Sequence, residues 1–206
     1  MKKLTTLTGP SCAGKSTLEC MMVERGCAKA ISTTTRSPRA GEVDGVDYYF
    51  VSKERFASMK LCNMFVEHVE FGEHSYGLSV PELNRLYTLS NHVVVVCEPV
   101  GASQIKSWAR SQPGVVLTSV FVDNPSQVIA DRFLRRVVQD AINSNGSAMN
   151  SVITSYSKRM AMMIDMEPTW RNASSEITYD LTFKTFDESN CTDVADILCG
   201  VASTVE

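Results

Sequence analysis

An α/β fold, a parallel sheet flanked by helices, is what this sequence of 206 residues predicts. Short apolar runs alternate with helical patterns over most of the chain, the sequence form of strands crossed by helices. One run, Val93–Val96, is four consecutive valines, as suits a strand buried on both faces. The first run passes through a glycine-bearing turn directly into a helical pattern.

Taken in order, Leu4–Leu7 reads as the first strand, closed by Thr8-Gly9-Pro10. A helix from Gly14 to about Arg25 follows, with Gly26 where a C-terminal glycine belongs. Val93–Val96 and Val115–Val122 are further strands, and Leu181–Phe186 is a weaker one. Helices are expected at about Gly101–Arg110, Pro125–Ala141, Ala148–Met166 and Thr192–Val201. The stretch 31–89 breaks this rhythm. Its segments Asp47–Val51 and Phe65–Phe71 are short, aromatic and β-branched, which suggests a small mixed insertion with a job of its own. Asn143–Ser147 is polar and turn-rich between two helical patterns, the composition of a lid tip. The expected organisation is one domain, with a core (1–30, 90–125 and 167–206), the insertion (31–89) and a lid with flanking helices (126–166).

Composition excludes several classes. A net charge of −3 gives no electrostatic footprint for a nucleic-acid polymer. The longest apolar run, Val93–Cys97, is far too short for a membrane span. The seven cysteines are odd in number, form no C-x-x-C pair and follow no signal peptide, so reduced thiols and a cytoplasmic location are expected. His68, His74 and His92 have no close cysteine pattern of the structural kind, so zinc is not expected.

Gly9-Pro10-Ser11-Cys12-Ala13-Gly14-Lys15-Ser16-Thr17 satisfies G-x-x-x-x-G-K-[ST] between a strand and a helix. Gly9 and Gly14 let the backbone wrap so that its N–H groups converge on phosphate oxygens, and the helix dipole favours the same anion. Lys15 supplies a mobile charge for the β- and γ-phosphates, and Ser16 a hydroxyl for Mg²⁺. The fold expectation therefore narrows to a P-loop NTPase core. The loop alone marks a nucleoside triphosphate binder and nothing finer.

The second half of a site is expected in Ile31–Ser52. Arg36 and Arg39 stand three apart behind a hydroxyl-rich approach, with Tyr48 beyond them. Arginine forks suit a phosphate monoester, and a tyrosine hydroxyl can donate to the same group. Thr34–Val51 resembles the guanylate kinase signature, T-T-R-x-P-R-x-G-E-x-x-G-x-D-Y-x-F-V, at every fixed position. The resemblance continues through Phe65–Gly72 and Tyr76-Gly77 and covers about the first hundred residues well. It implies a three-part kinase: P-loop core, nucleoside-monophosphate-binding insertion and helical lid. By position, Ser32, Arg36, Arg39, Tyr48 and Tyr76 would hold the acceptor's phosphate, and Glu67 would accept from guanine N1–H and the 2-amino group. Arg132, Arg136 and Arg159 would be lid or hinge arginines; Arg135 reads instead as a helix-surface residue.

The sequence departs from the family around the base and the lid. Leu78 stands where the family has a serine or threonine that reads the guanine carbonyl, with Ser79 next to it as a substitute. Val96 replaces an acid, while Glu98 is retained as a second acid near Mg²⁺. Met166 stands where an acid is common in the lid, and His74 and Ser75 where asparagine and an aromatic are more frequent. The expectation is ATP- and Mg²⁺-dependent phosphoryl transfer to GMP or dGMP. The alternatives are a broader deoxynucleoside monophosphate kinase, in the manner of a virus-encoded enzyme, another P-loop small-molecule kinase and a non-enzymatic module that binds a phosphorylated partner. Oligomeric state is not legible.

Overall fold

The computed structural model describes residues 1–39, 41–143, 149–176, 178–184 and 190–201, with side chains for all of these except 71, 151, 159, 162 and 166–176. In chain order the elements are β1 (Lys2–Thr8), α1 (Lys15–Glu24), β2 (Ala28–Lys29), β3 (Thr33–Thr34), β4 (Tyr49–Phe50), α2 (Lys53–Leu61), β5 (Phe65–Phe71) and β6 (His74–Ser79). They continue as α3 (Val80–Leu86), β7 (His92–Val96), α4 (Pro99–Arg110), β8 (Val115–Val122), α5 (Ser126–Asn143), α6 (Met149–Glu176), β9 (Leu181–Phe183) and α7 (Cys191–Cys199).

The core sheet is wholly parallel, in the order β2-β7-β1-β8-β9. Its central strands explain the valine run. Val94 packs with Leu7, Leu18, Met22, Val120 and Leu198 on the face covered by α1 and α7, whereas Val93 and Val95 pack with Leu4, Leu83 and Ile105 on the other. Successive side chains of a strand point to opposite faces, so a strand covered on both sides is apolar throughout. The parallel register also brings the C-terminal ends of β1, β7 and β8 to one edge, where α/β sheets bind ligands.

The insertion carries a second, mixed sheet in the order β4-β3-β6-β5. Phe65–Phe71 appears as expected, and the strand expected over Asp47–Val51 shortens to Tyr49–Phe50. β6 is the hairpin partner of β5, and its glycine and polar residues hid it from a reading by β-propensity. Two short helices were also missed. Ser52 caps α2 by accepting from the Arg55 N–H at 3.1 Å, and Ser79 caps α3 by accepting from the Glu82 N–H at 3.3 Å. The Ser79-x-x-Glu82 spacing is the sequence signature of such a start.

Beyond the insertion, α4 starts at Pro99, two residues ahead of expectation, because Glu98 occupies the N-cap position. The helix expected to stop at Met166 runs on to Glu176, so the boundary drawn there falls inside one continuous helix. The last strand ends at Phe183 rather than Phe186. Residues 144–147 of the expected lid tip and Phe186 lie outside the described residues. No helix among the described residues is long and apolar enough to cross a membrane.

One close approach fixes how the first turn after β1 sits on the sheet. Gly9 has φ +144°, and a Cβ on it would lie 1.9 Å from the Val122 carbonyl oxygen. Gly9→Ala is therefore expected to lower unfolding free energy by roughly 2 kcal/mol or more, since both backbone and neighbour must shift. Chemical denaturation of the two proteins measures this; an unchanged midpoint would contradict the packing described.

Candidate active site

The turn from Gly9 to Gly14 leaves β1 at the ligand-binding edge and enters α1 through Gly14 at φ +108°, with Cys12 also left-handed at φ +61°. Side-chain donors occupy its carbonyls. Lys15 Nζ donates to the oxygens of Gly9 (2.7 Å) and Pro10 (2.6 Å). Asn124 Nδ2 donates to Ala13 O at 2.7 Å, and Arg132 Nη1 lies 3.4 and 3.3 Å from Cys12 O and Ala13 O. Side-chain donors thus engage four loop carbonyls, and within the loop the Ala13 N–H donates to Pro10 O at 3.3 Å. Ser16 and Thr17 are exposed on the first turn of α1.

Gly9, Ser11 and Lys15 line a cavity of about 770 Å³ whose other walls come from the insertion, from the end of β7 and from α6. Ser32, Arg36, Arg39, Tyr48, Glu67, Tyr76 and Glu98 all line it. The phosphate loop and the acceptor residues expected from sequence thus face one space. Pro10, Cys12, Ala13 and Gly14 form the loop behind its lining.

Arg36 is held before any ligand arrives. Its guanidinium makes a two-point ion pair with Glu42, at 2.8 and 2.9 Å, and lies 5.3 Å from the centre of the Tyr48 ring. Glu42 also accepts the Arg39 backbone N–H at 2.7 Å. Arg36 holds the Glu42 carboxyl below its usual range. The six-residue spacing of Arg36 and Glu42 was present in the signature, yet sequence reading gave Glu42 no role.

Glu67 is almost fully buried. One oxygen accepts the Leu78 N–H at 2.9 Å, and the other lies against α4, where a Cβ on Gly101 would come within 2.8 Å of it. Gly101 is thus the residue that makes room for the carboxyl. Gln104, one turn further along α4, clasps the His68 backbone through both its N–H and its carbonyl (3.0 and 2.9 Å). Burial pushes Glu67 up to about 7, against the Leu78 N–H, with Glu98 adding to the rise. Burial likewise pushes Glu98 up to about 7, with Lys15 pulling the other way.

Two expectations about the base change. The Leu78 side chain is fully buried among Leu4, Val66, Leu83 and Val95, so only its backbone touches Glu67. Ser79 is committed to capping α3 and is itself buried. Neither side chain lines the cavity. Val96 does line it, where an acid was expected to be common.

The lid residues divide. Arg132 braces the loop from α5 and does not line the cavity, whereas Arg136 is exposed further along the same helix. Arg135 pairs with Asp131 at 2.7 Å on the surface, in keeping with the surface role read from sequence. The backbone of Arg159 lies in α6, but the side chains of Arg159 and Met166 are outside those described. Sequence reading missed Lys158 and Ser155, which line the cavity from α6. It also gave no role to His74, whose Nδ1 is buried in the cavity wall with no hydrogen-bond partner. A cavity wall with an unpaired polar atom is suited to a polar ligand.

The guanylate kinase family model matches residues 1–167. The chain belongs to the guanylate kinase family. It is 30% identical to the guanylate kinase of Prochlorococcus marinus over 190 residues, 91% of this chain and 92% of that one. Identity to the guanylate kinase of Chlamydia caviae is 37% over 137 residues, which is 65% of this chain and 64% of the relative's length. The chain therefore spans just under two thirds of that relative. A solved structure, the guanylate kinase from Anaplasma phagocytophilum, superposes with a TM-score of 0.63 over 99% of this chain and 88% of its own, at 21% identity. That likeness supports the fold, a P-loop core with a parallel sheet.

The buried Glu67 and half-buried Glu98 carboxyls bear directly on stability. Each rises from 4.5 toward about 7 on folding, so the folded chain binds protons that the unfolded chain has lost. Their contribution is complete below about 4.5 and is lost as pH rises through about 7. Glu67→Gln should flatten this part of the pH–stability curve, measured as the thermal midpoint of the ligand-free protein. An identical slope in wild type and variant would contradict the burial described.

Proposed function

We propose that this chain transfers the γ-phosphoryl group of ATP to GMP or dGMP, in a cytoplasmic setting. The observation that carries the proposal is the single cavity shared by Lys15 and the loop with Ser32, Arg36, Arg39, Tyr48, Glu67 and Tyr76. Loop N–H groups and Lys15 would grip the donor's phosphates, with Lys15 leaving the Gly9 and Pro10 carbonyls to do so. Arg36, Arg39 and the hydroxyls of Ser32, Tyr48 and Tyr76 would hold the acceptor phosphate on the opposite wall. An acceptor phosphate oxygen is already ionised at neutral pH, so no general base is needed and alignment does most of the work.

Ser16 and Glu98 fit a magnesium ion: both offer oxygen, the serine is exposed, and a cation would relieve the burial of the Glu98 carboxylate. When bound, Mg²⁺ would supply charge neutralisation at the β- and γ-phosphate oxygens. Glu67 would read guanine by accepting its two neighbouring donors, with Gly101 and Leu78 N–H fixing the carboxylate. Lys158 and, from the lid, Arg132, Arg136 and Arg159 would add positive charge on closure, which also excludes water. A cavity of about 420 Å³ beside the loop, lined by Asn124, Pro125 and Thr182, offers room for the donor's base.

Val96 favours a second reading, acceptance of further deoxynucleoside monophosphates. An apolar wall in place of a hydrogen-bonding acid penalises wrong bases less. Phosphorylation of each ribo- and deoxynucleoside monophosphate with ATP and Mg²⁺ separates these readings. Preference for GMP and dGMP supports the first, comparable rates on several bases support the second, and no turnover on any leaves the non-enzymatic module. Lys15→Ala should cut turnover by at least about 100-fold with an unchanged circular dichroism spectrum, since transition-state charge is removed and the fold is not. Glu67→Ala should raise KM for GMP at least about tenfold while changing that for dTMP little. Equal losses on both would remove Glu67 from base reading.

A further inference from the structure

At the opposite edge of the core sheet from the phosphate loop, three side chains distant in sequence come together. Cys27 leads into β2, His92 opens β7 and Cys199 ends α7. Their ligand atoms all lie within 4.8 Å of one another, and the two sulfurs are 3.6 Å apart. Two thiolates on one tetrahedral zinc, each at about 2.3 Å, would stand about 3.8 Å apart. We propose that Cys27, His92 and Cys199 form a binding site for a soft divalent cation of the zinc type, with solvent completing the fourth position.

Each ligand is held by bonds outside the cluster. The Cys27 N–H donates to Met22 O at 3.1 Å. Ser90 joins two of the ligand segments, since its hydroxyl donates to Gly26 O at 2.7 Å and accepts the His92 N–H at 3.1 Å. Thr5 Oγ1 lies 2.8 Å from His92 Nε2 and orients the ring from within the sheet. Arg25 pairs with Asp196 at 2.5 Å and so draws the end of α7 against the end of α1. The donors therefore need little rearrangement to converge on an ion.

The donor set sets the class of metal. Two sulfurs and an imidazole select zinc-like ions over magnesium, which prefers oxygen. Cys27 is buried, and His92 and Cys199 are half-buried, which leaves solvent a way in. Burial pushes the Cys27 thiol up to about 12, so binding releases its proton to solvent. Burial and Lys3 lower the His92 pKa, which keeps the ring in its neutral, ligating form. Along β7 the site is about 13 Å from Val96. It is thus separate from the proposed catalytic centre, does not depend on that reading, and would tie the last described helix to the sheet edge.

Cobalt(II) is the probe. The full chain, stripped with a chelator and kept in a non-thiol reductant, is titrated with Co²⁺ and then with Zn²⁺. The expected result is one equivalent bound, with thiolate-to-cobalt charge transfer and the intense visible bands of tetrahedral cobalt, displaced by zinc. Cys199→Ser and His92→Gln should each weaken cobalt affinity by more than about tenfold. Cys20→Ser and Cys62→Ser, at exposed positions elsewhere, should leave it unchanged. Circular dichroism checks that the variants fold, and two independent ligand variants are used so that one folding failure is not decisive. Absence of the bands in wild type, or their survival in both ligand variants, would overturn the site.

Discussion

The phosphate loop is defined by where its carbonyls point. Oxygens of Gly9, Pro10, Cys12 and Ala13 meet donors from Lys15, Arg132 and Asn124, which belong to α1, α5 and the end of β8's connection. A turn whose carbonyls faced inward would repel an anion. Asn124 and Arg132 come from more than a hundred residues away, and they reach the loop because β1 and β8 end at the same edge of a parallel sheet. Gly9 belongs to the same constraint, since its lack of a side chain lets the loop rest on Val122. The layout of the core therefore follows from one local demand.

On the acceptor side the structure uses preformed charge. Arg36 is oriented by Glu42 and by the Tyr48 ring, so little side-chain entropy would remain to be lost on binding the proposed acceptor phosphate. Glu67 is buried against Gly101 and Leu78 N–H, where a carboxylate without a donor-rich partner is unfavourable. The guanine of the proposed acceptor would offset that cost, and the same burial makes the carboxyl of the free protein rise toward neutrality. Gln104 ties the adjoining strand to α4, which joins the insertion mechanically to the core.

The two ends of the sheet do different work. Its C-terminal edge gathers loop, carboxyls and arginines around one cavity. Its N-terminal edge gathers Cys27, His92 and Cys199 where α7 lies beside α1 and β2. Strand direction alone separates these groups, because in a parallel sheet all strand starts lie on one side and all strand ends on the other.

Local chemistry made much of this chain legible. The strand–loop–helix unit, the valine strand and the arginine–tyrosine signature each follow from residue types at short spacing, so the sequence by itself determined the fold class, the phosphate loop and most of the side chains that line the cavity opposite it. It also contained the Ser79-x-x-Glu82 cap, a short-range signal whose role was read as base contact instead. What tertiary structure decided rests on long-range packing. The buried side chain of Leu78, the room that Gly101 leaves for Glu67, and Arg132 bracing the loop all depend on which elements meet across the sheet. So does the meeting of Cys27 with Cys199, whose sulfurs are 172 residues apart in the chain and 3.6 Å apart in space. No spacing rule reaches across that distance; a parallel sheet does.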